Sequence, residues 1–133
     1  MPQTDVLFYC EEDSSVPVLE WLSGLHRQDR RAYNKCREMN AHLEQFGHEL
    51  RRPMADLLRD GIYELRGRVG HVNYRLLYFF HGRNVAIVAH GLTKESEIPK
   101  RDLALAVKRK DKFQANPKRH TNQREEPDEK KID

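Results

Sequence analysis

Cysteine is scarce in this 133-residue chain: Cys10 and Cys36 are the two, and they form no C-x-x-C pair. That excludes a disulfide-stapled scaffold and points to a reducing compartment. Long apolar runs are missing as well, since no stretch approaches the roughly 20 residues a membrane helix needs. The opening MPQTDVLFYC has no basic start followed by an apolar core, so no secretory leader is expected and a cytoplasmic location is. The metal motifs are missing too. There is no H-E-x-x-H and no carboxylate cluster, and the seven histidines (His26, His42, His48, His71, His81, His90 and His120) lack ligand spacing. No metal site or cofactor is therefore expected. Nor is there a glycine-rich nucleotide loop: Gly61, Gly67, Gly70, Gly82 and Gly91 read as turn residues.

What is present is basic charge in one region. The length suits one domain with a real core. Net charge is +3, but residues 1–58 carry seven basic and ten acidic side chains, whereas residues 59–110 carry eleven basic and five acidic. A localised positive surface suits an anionic partner, either nucleic acid or an acidic protein segment.

The periodicity predicts an α+β domain over residues 1–115. DVLFY (5–9) reads as a buried strand. Asp13, Ser14 and Ser15 offer caps for a short helix, VPVLEWLSGL, which Gly24 is expected to loosen. From Gln28 to Phe46, Ala32, Tyr33, Cys36, Met39, Leu43 and Phe46 recur at helical spacing, and Gly47 closes that helix. HELRRPMADLLRD reads as a polar connection. Three strands follow, about 62–66, 72–80 and 85–90, joined by short glycine-containing links as an antiparallel meander. Pro99 then opens a last helix through Phe113. The expected fold is an antiparallel sheet, one N-terminal strand plus the meander, with helices against one face. Residues 116–133 hold ten charged residues and one large aliphatic, Ile132, so a disordered tail is expected there.

Cations interrupt the meander where strands favour branched and aromatic residues. In the middle strand Val72, Tyr74, Leu76, Tyr78 and Phe80 share one face, and His71, Asn73, Arg75, Leu77 and Phe79 the other. Glu64 and Arg66 share a face of the strand before, and Ala86, Val88 and His90 a face of the strand after. If the registers align, one side of the sheet presents Arg66, Arg75 and His90 as a compact anion site; otherwise these are exposed cross-strand ion pairs.

YELR at 63–66, the Tyr74-Arg75 strand with Tyr78, Phe79 and Phe80, HGLTK at 90–94 and the helix opened by Pro99 give a pattern spanning roughly residues 4–113. It resembles the toxins of bacterial toxin–antitoxin pairs related to RelE and HigB, in particular their phage Gp49-like branch. The resemblance implies an RNA endonuclease acting on messenger RNA, in many relatives on the ribosome, and neutralised by a cognate antitoxin protein. Relatives in the wider superfamily poison DNA gyrase without enzymatic activity, which gives a second reading of the same basic face.

The implied chemistry needs no metal. The ribose 2′-hydroxyl attacks the adjacent phosphorus, so the site needs a base, an acid and cations for the phosphorane charge. By the resemblance, Arg66 and Arg75 take the phosphate, for which a guanidinium fork is suited. His90 is expected to carry protons, and Lys94 to stabilise charge or act as base. Arg68, Lys100 and Arg101 read as RNA backbone contacts. Tyr78 reads as RNA stacking platform, base, or core residue, sharing its face with Val72, Leu76 and Phe80.

Overall fold

A computed structural model describes residues 3–93 and 97–122 of the chain. Its elements run β1 Asp5–Tyr9, α1 Pro17–Gln28, α2 Arg30–Phe46, β2 Ala55–Arg59, β3 Ile62–Val69, β4 Val72–His81, β5 Val85–Thr93, α3 Lys100–Ala115 and β6 Thr121–Asn122. The α+β class is as expected, and β2 and β6 are additional. The strands form one six-stranded sheet in the order β2-β3-β4-β5-β1-β6. The sheet is mixed, because β1 pairs with β5 in parallel from Asp5↔Val85 to Phe8↔Val88, while the other pairings are antiparallel. A parallel pair requires a long crossover, and here both first helices and three strands intervene.

Helices cover both faces of the sheet, not one. Tyr74, Leu76 and Tyr78 of β4 pack with Leu22 of α1 and Tyr33 and Met39 of α2. Leu77 and Phe79 pack on the other side with Ala106 and Phe113 of α3. A strand apolar on both faces needs cover on both, and α3 supplies the second layer.

Two of the expected turn glycines sit inside strands. At Gly67 of β3 a Cβ would collide with the Met39 sulfur, and at Gly91 of β5 with the Trp21 ring. Their missing side chains let α2 and α1 approach the sheet, whereas Gly61, Gly70 and Gly82 do occupy turns with positive φ.

Helix ends also differ locally from expectation. Pro17 begins α1 after Val16, and Asp13 accepts from the Ser15 N–H in the preceding turn instead of capping the helix. Gly24 does not break α1. Asp29 caps α2 by accepting from the Ala32 N–H at 3.2 Å, and Gly47 ends it.

The start of the expected tail is folded. Residues 116–120 turn back and β6 pairs with the end of β1. His120, buried, donates from Nδ1 to the Cys10 carbonyl at 2.7 Å and stacks on the Tyr9 ring at 5.2 Å. Charge composition hid one aromatic anchor among polar neighbours. Residues 123–133 of that expectation lie outside the described residues.

Candidate nucleic-acid site

β3 and β4 place Arg66 directly opposite Arg75, and Glu64 directly opposite Leu77, on the face that α3 covers in part. Like charges facing each other across a ladder repel, and Glu64 resolves this. Its carboxylate is 2% exposed and accepts from Arg66 Nε at 2.6 Å on one oxygen and from an Arg75 terminal nitrogen at 2.9 Å on the other. Of the two expected alternatives, an anion site or exposed cross-strand ion pairs, the ion pairs are present but not exposed: the carboxylate is buried and bridges both cations.

Asp56 of β2 adds a second acid, 3.4 Å from Arg66 and 3.0 Å from Arg52. The Arg52 hydrogen bond, then the charges of Arg52 and Arg66, hold the Asp56 carboxyl below its ordinary range. Asp56 could not be placed from sequence because its strand was read as a polar connection. The Arg66 side chain remains 37% exposed and Arg75 13%. Arg75 Nε is buried with no hydrogen-bond partner among the described residues. Both guanidiniums line an open groove of about 440 Å³ with Glu64, Leu58, Ile98 and Leu103. The result is a pre-set pair of guanidinium donors on an open groove whose wall is partly apolar and which Glu97 also lines.

His90 also reaches this face, but by a different route from simple alternation. A register shift between Leu77 and Tyr78 lets β5 carry an extra residue, so Ala86 and Val88 face α1 and α2 while His90 turns toward α3. There its Nε2 lies 2.7 Å from Asp102 and its Nδ1 3.4 Å from Arg109. Arginine only donates, so the network assigns the proton to Nε2, which donates to Asp102, and leaves Nδ1 as acceptor. Arg109 further donates to the Ala89 carbonyl at 2.7 Å and pairs with Glu11 at 3.6 Å. His90 thus shares a face with the arginines yet sits in the seam beneath α3. Asp102 and Arg109, two helical turns apart, were missed; their i, i+7 spacing was the available signal.

The remaining expected residues divide. Arg68 is exposed on the strand of Arg66 and donates to the Gly70 carbonyl at 2.9 Å. Lys100 and Arg101 are exposed on the first turn of α3, beside groove residues Ile98 and Leu103. Tyr78 is a correction: it is 1% exposed on the opposite face, packed with Tyr63 and Phe80, and burial pushes its hydroxyl pKa up. No ring surface is left for a base, so it is a core residue. Lys94 lies outside the described residues. Among the described residues no group of histidine, cysteine or carboxylate side chains has metal-holding geometry, and no helix is long and apolar enough to cross a membrane.

Comparison with known families now bears on this face. The profile of the phage-derived protein Gp49-like family matches residues 20–111, from α1 to near the end of α3. The chain belongs to the Gp49-like family. That family falls within the RelE/ParE-type toxins of toxin–antitoxin systems, so an antitoxin partner is implied. The match spans Glu64, Arg66, Arg75, His90, Asp102 and Arg109. No curated protein matches the chain.

Proposed function

We propose that this Gp49-like protein is the toxin of a toxin–antitoxin pair and a metal-independent endoribonuclease acting on messenger RNA, on the ribosome. One observation carries the reading: two guanidiniums in direct cross-strand register, oriented by a buried carboxylate, line an open groove in a chain of a toxin family. The 2′-hydroxyl oxygen attacks phosphorus and the bond to the 5′-oxygen breaks, giving a 2′,3′-cyclic phosphate and a 5′-hydroxyl. One proton leaves the nucleophile and one reaches the leaving oxygen. Arg66 and Arg75 hold the non-bridging oxygens and gain most from the added phosphorane charge. His90 moves the proton, with Asp102 orienting its ring; Lys94 assists with charge. Arg68, Lys100 and Arg101 contact flanking phosphates.

The competing reading is a non-enzymatic toxin that docks on a host target such as DNA gyrase through the same face. It is favoured by one fact: both His90 nitrogens are already engaged. Inducing the protein in cells and mapping RNA 5′ ends separates the two. Cuts within translated codons that fall about 10²–10³-fold in Arg75→Ala support the nuclease. Growth arrest with intact transcripts and altered supercoiling sinks it.

A further inference from the structure

An acidic side chain lies where a groove that served phosphate alone would have no use for one. Glu97, in the segment leading into α3, lines the same groove of about 440 Å³ as Arg66 and Arg75. It is exposed, and among the described residues it has no hydrogen-bond or ion-pair partner. The other acids around these arginines are committed: Glu64 accepts from both, and Asp56 is held by Arg52 and Arg66. A free carboxylate repels the anion that the arginines attract. Glu97 therefore suits a different, donor-bearing part of the same ligand.

The wall beside Glu97 is apolar and anchored. Leu58, Ile98 and Leu103 line the groove and back onto the core between the sheet and α3. The Pro99 carbonyl accepts from the Asp102 and Leu103 N–H groups at 3.1 and 3.2 Å, which ties the segment carrying Glu97 and Ile98 to the first turn of α3. An apolar surface with a few placed polar groups is how proteins take a flat organic ring and read its edge.

We propose that Glu97 is a base-reading residue. The groove takes one guanine nucleotide unit of single-stranded RNA, with its phosphate on Arg66 and Arg75, its base against Ile98 and Leu103, and the edge of that base on the Glu97 carboxylate. This rests on the RNA reading above for the ligand, and on the unpartnered acid for the base. A carboxylate only accepts hydrogen bonds. Guanine alone among the four bases presents two adjacent donors, N1–H and N2–H, which fill both oxygens in a charge-assisted pair. Adenine and cytosine each offer one amino group beside a ring nitrogen that itself accepts, and uracil offers one N–H between two carbonyls. In single-stranded RNA these edges are open to a protein.

The test titrates the purified chain with the four nucleoside 3′-monophosphates, followed by NMR. The guanine nucleotide should bind about tenfold or more tightly than the others, the worth of one good bidentate base contact. Arg75→Ala should weaken all four alike. Glu97→Gln should remove the guanine preference and move it toward adenine, because a carboxamide both donates and accepts. Glu97 is exposed, so this variant is expected to keep the fold, checked by circular dichroism. A 2′-O-methyl oligonucleotide with a single guanine should bind more tightly than the mononucleotide. Each of the following would overturn the proposal: no binding of any nucleotide at millimolar concentration, no base preference, a guanine preference that survives Glu97→Gln, or a loss in that variant that is equal for all four. Tighter binding of the mononucleotide than of the oligonucleotide would also overturn it, assigning the groove to a free guanine nucleotide. Guanine-selective binding with no cleavage of transcripts keeps the base site and removes the nuclease; cleavage that is indifferent to Glu97→Gln in its base preference does the reverse.

Discussion

Arg66 and Arg75 stand opposite one another on neighbouring strands, and what makes this tolerable is that each donates to a different oxygen of Glu64. A carboxylate buried between two cations binds them in a fixed orientation and leaves their outer donors for a ligand. It also makes the site sensitive to a residue that need not touch substrate.

Glu64→Gln should therefore be costly out of proportion to its size. It leaves Arg75, 13% exposed, without its carboxylate partner and facing an Arg66 that keeps Asp56 alone. Removing one member of a buried ion pair costs about 3–5 kcal/mol; with Arg66 open to solvent, roughly 2–3 kcal/mol is expected. Urea denaturation measures it, and a cost under about 0.5 kcal/mol would mean the carboxylate does not organise the site.

His90 and Asp102 should behave as a unit that docks α3. Asp102→Ala removes the partner of His90 Nε2 and should lower stability by about 1 kcal/mol, the net worth of one such bond. A double-mutant cycle with His90→Ala should give a coupling of about 0.5 kcal/mol or more. Strict additivity would show that the 2.7 Å contact carries no energy.

Gly91→Ala tests the close approach of α1. The new methyl group would enter the space of the Trp21 ring, so about 1–3 kcal/mol of destabilisation is expected. At Gly70, which has open space but positive φ, strain alone should cost about 1 kcal/mol. Thermal melts of the two variants rank these effects.

Stability at high pH should reveal the buried phenols. Burial and the hydrogen bond to Glu11 push the Tyr9 pKa up to about 12, and burial raises Tyr74 and Tyr78 as well. The unfolded chain releases these protons more readily, near pH 10. Their stabilisation is thus complete below about pH 10 and is lost as pH rises through the folded values, at about 1.4 kcal/mol per unit per group. Tyr9→Phe should make the decline shallower by one group; an unchanged slope between pH 10 and 12 would refute the assignment.

Much of the architecture was legible because it depends on local spacing. The places of β1, α2 and the meander, and the two-sided apolar character of β4, follow from periods of 2 and 3.6, although β3 runs on to Val69 and β5 to Thr93, past the expected ends at 66 and 90, and α2 starts at Arg30, with Gln28 closing α1. β2 was not legible, since an end strand needs only a few apolar residues and Arg51, Arg52 and Pro53 mask it. Gly67 and Gly91 read as turns because sequence does not record what a helix on another layer will press against.

The site divides along the same line. Sequence by itself determined that Arg66 shares a face with Glu64, and that Arg75 is a cation within an apolar strand, because side-chain alternation is a property of the chain alone. Only the tertiary structure decided that these arginines meet, that Glu64 is buried between them, that a bulge swings His90 beneath α3, and that Tyr78 belongs to the core. Register, bulges and layer packing are settled by contacts between segments far apart in sequence, and no local pattern encodes them.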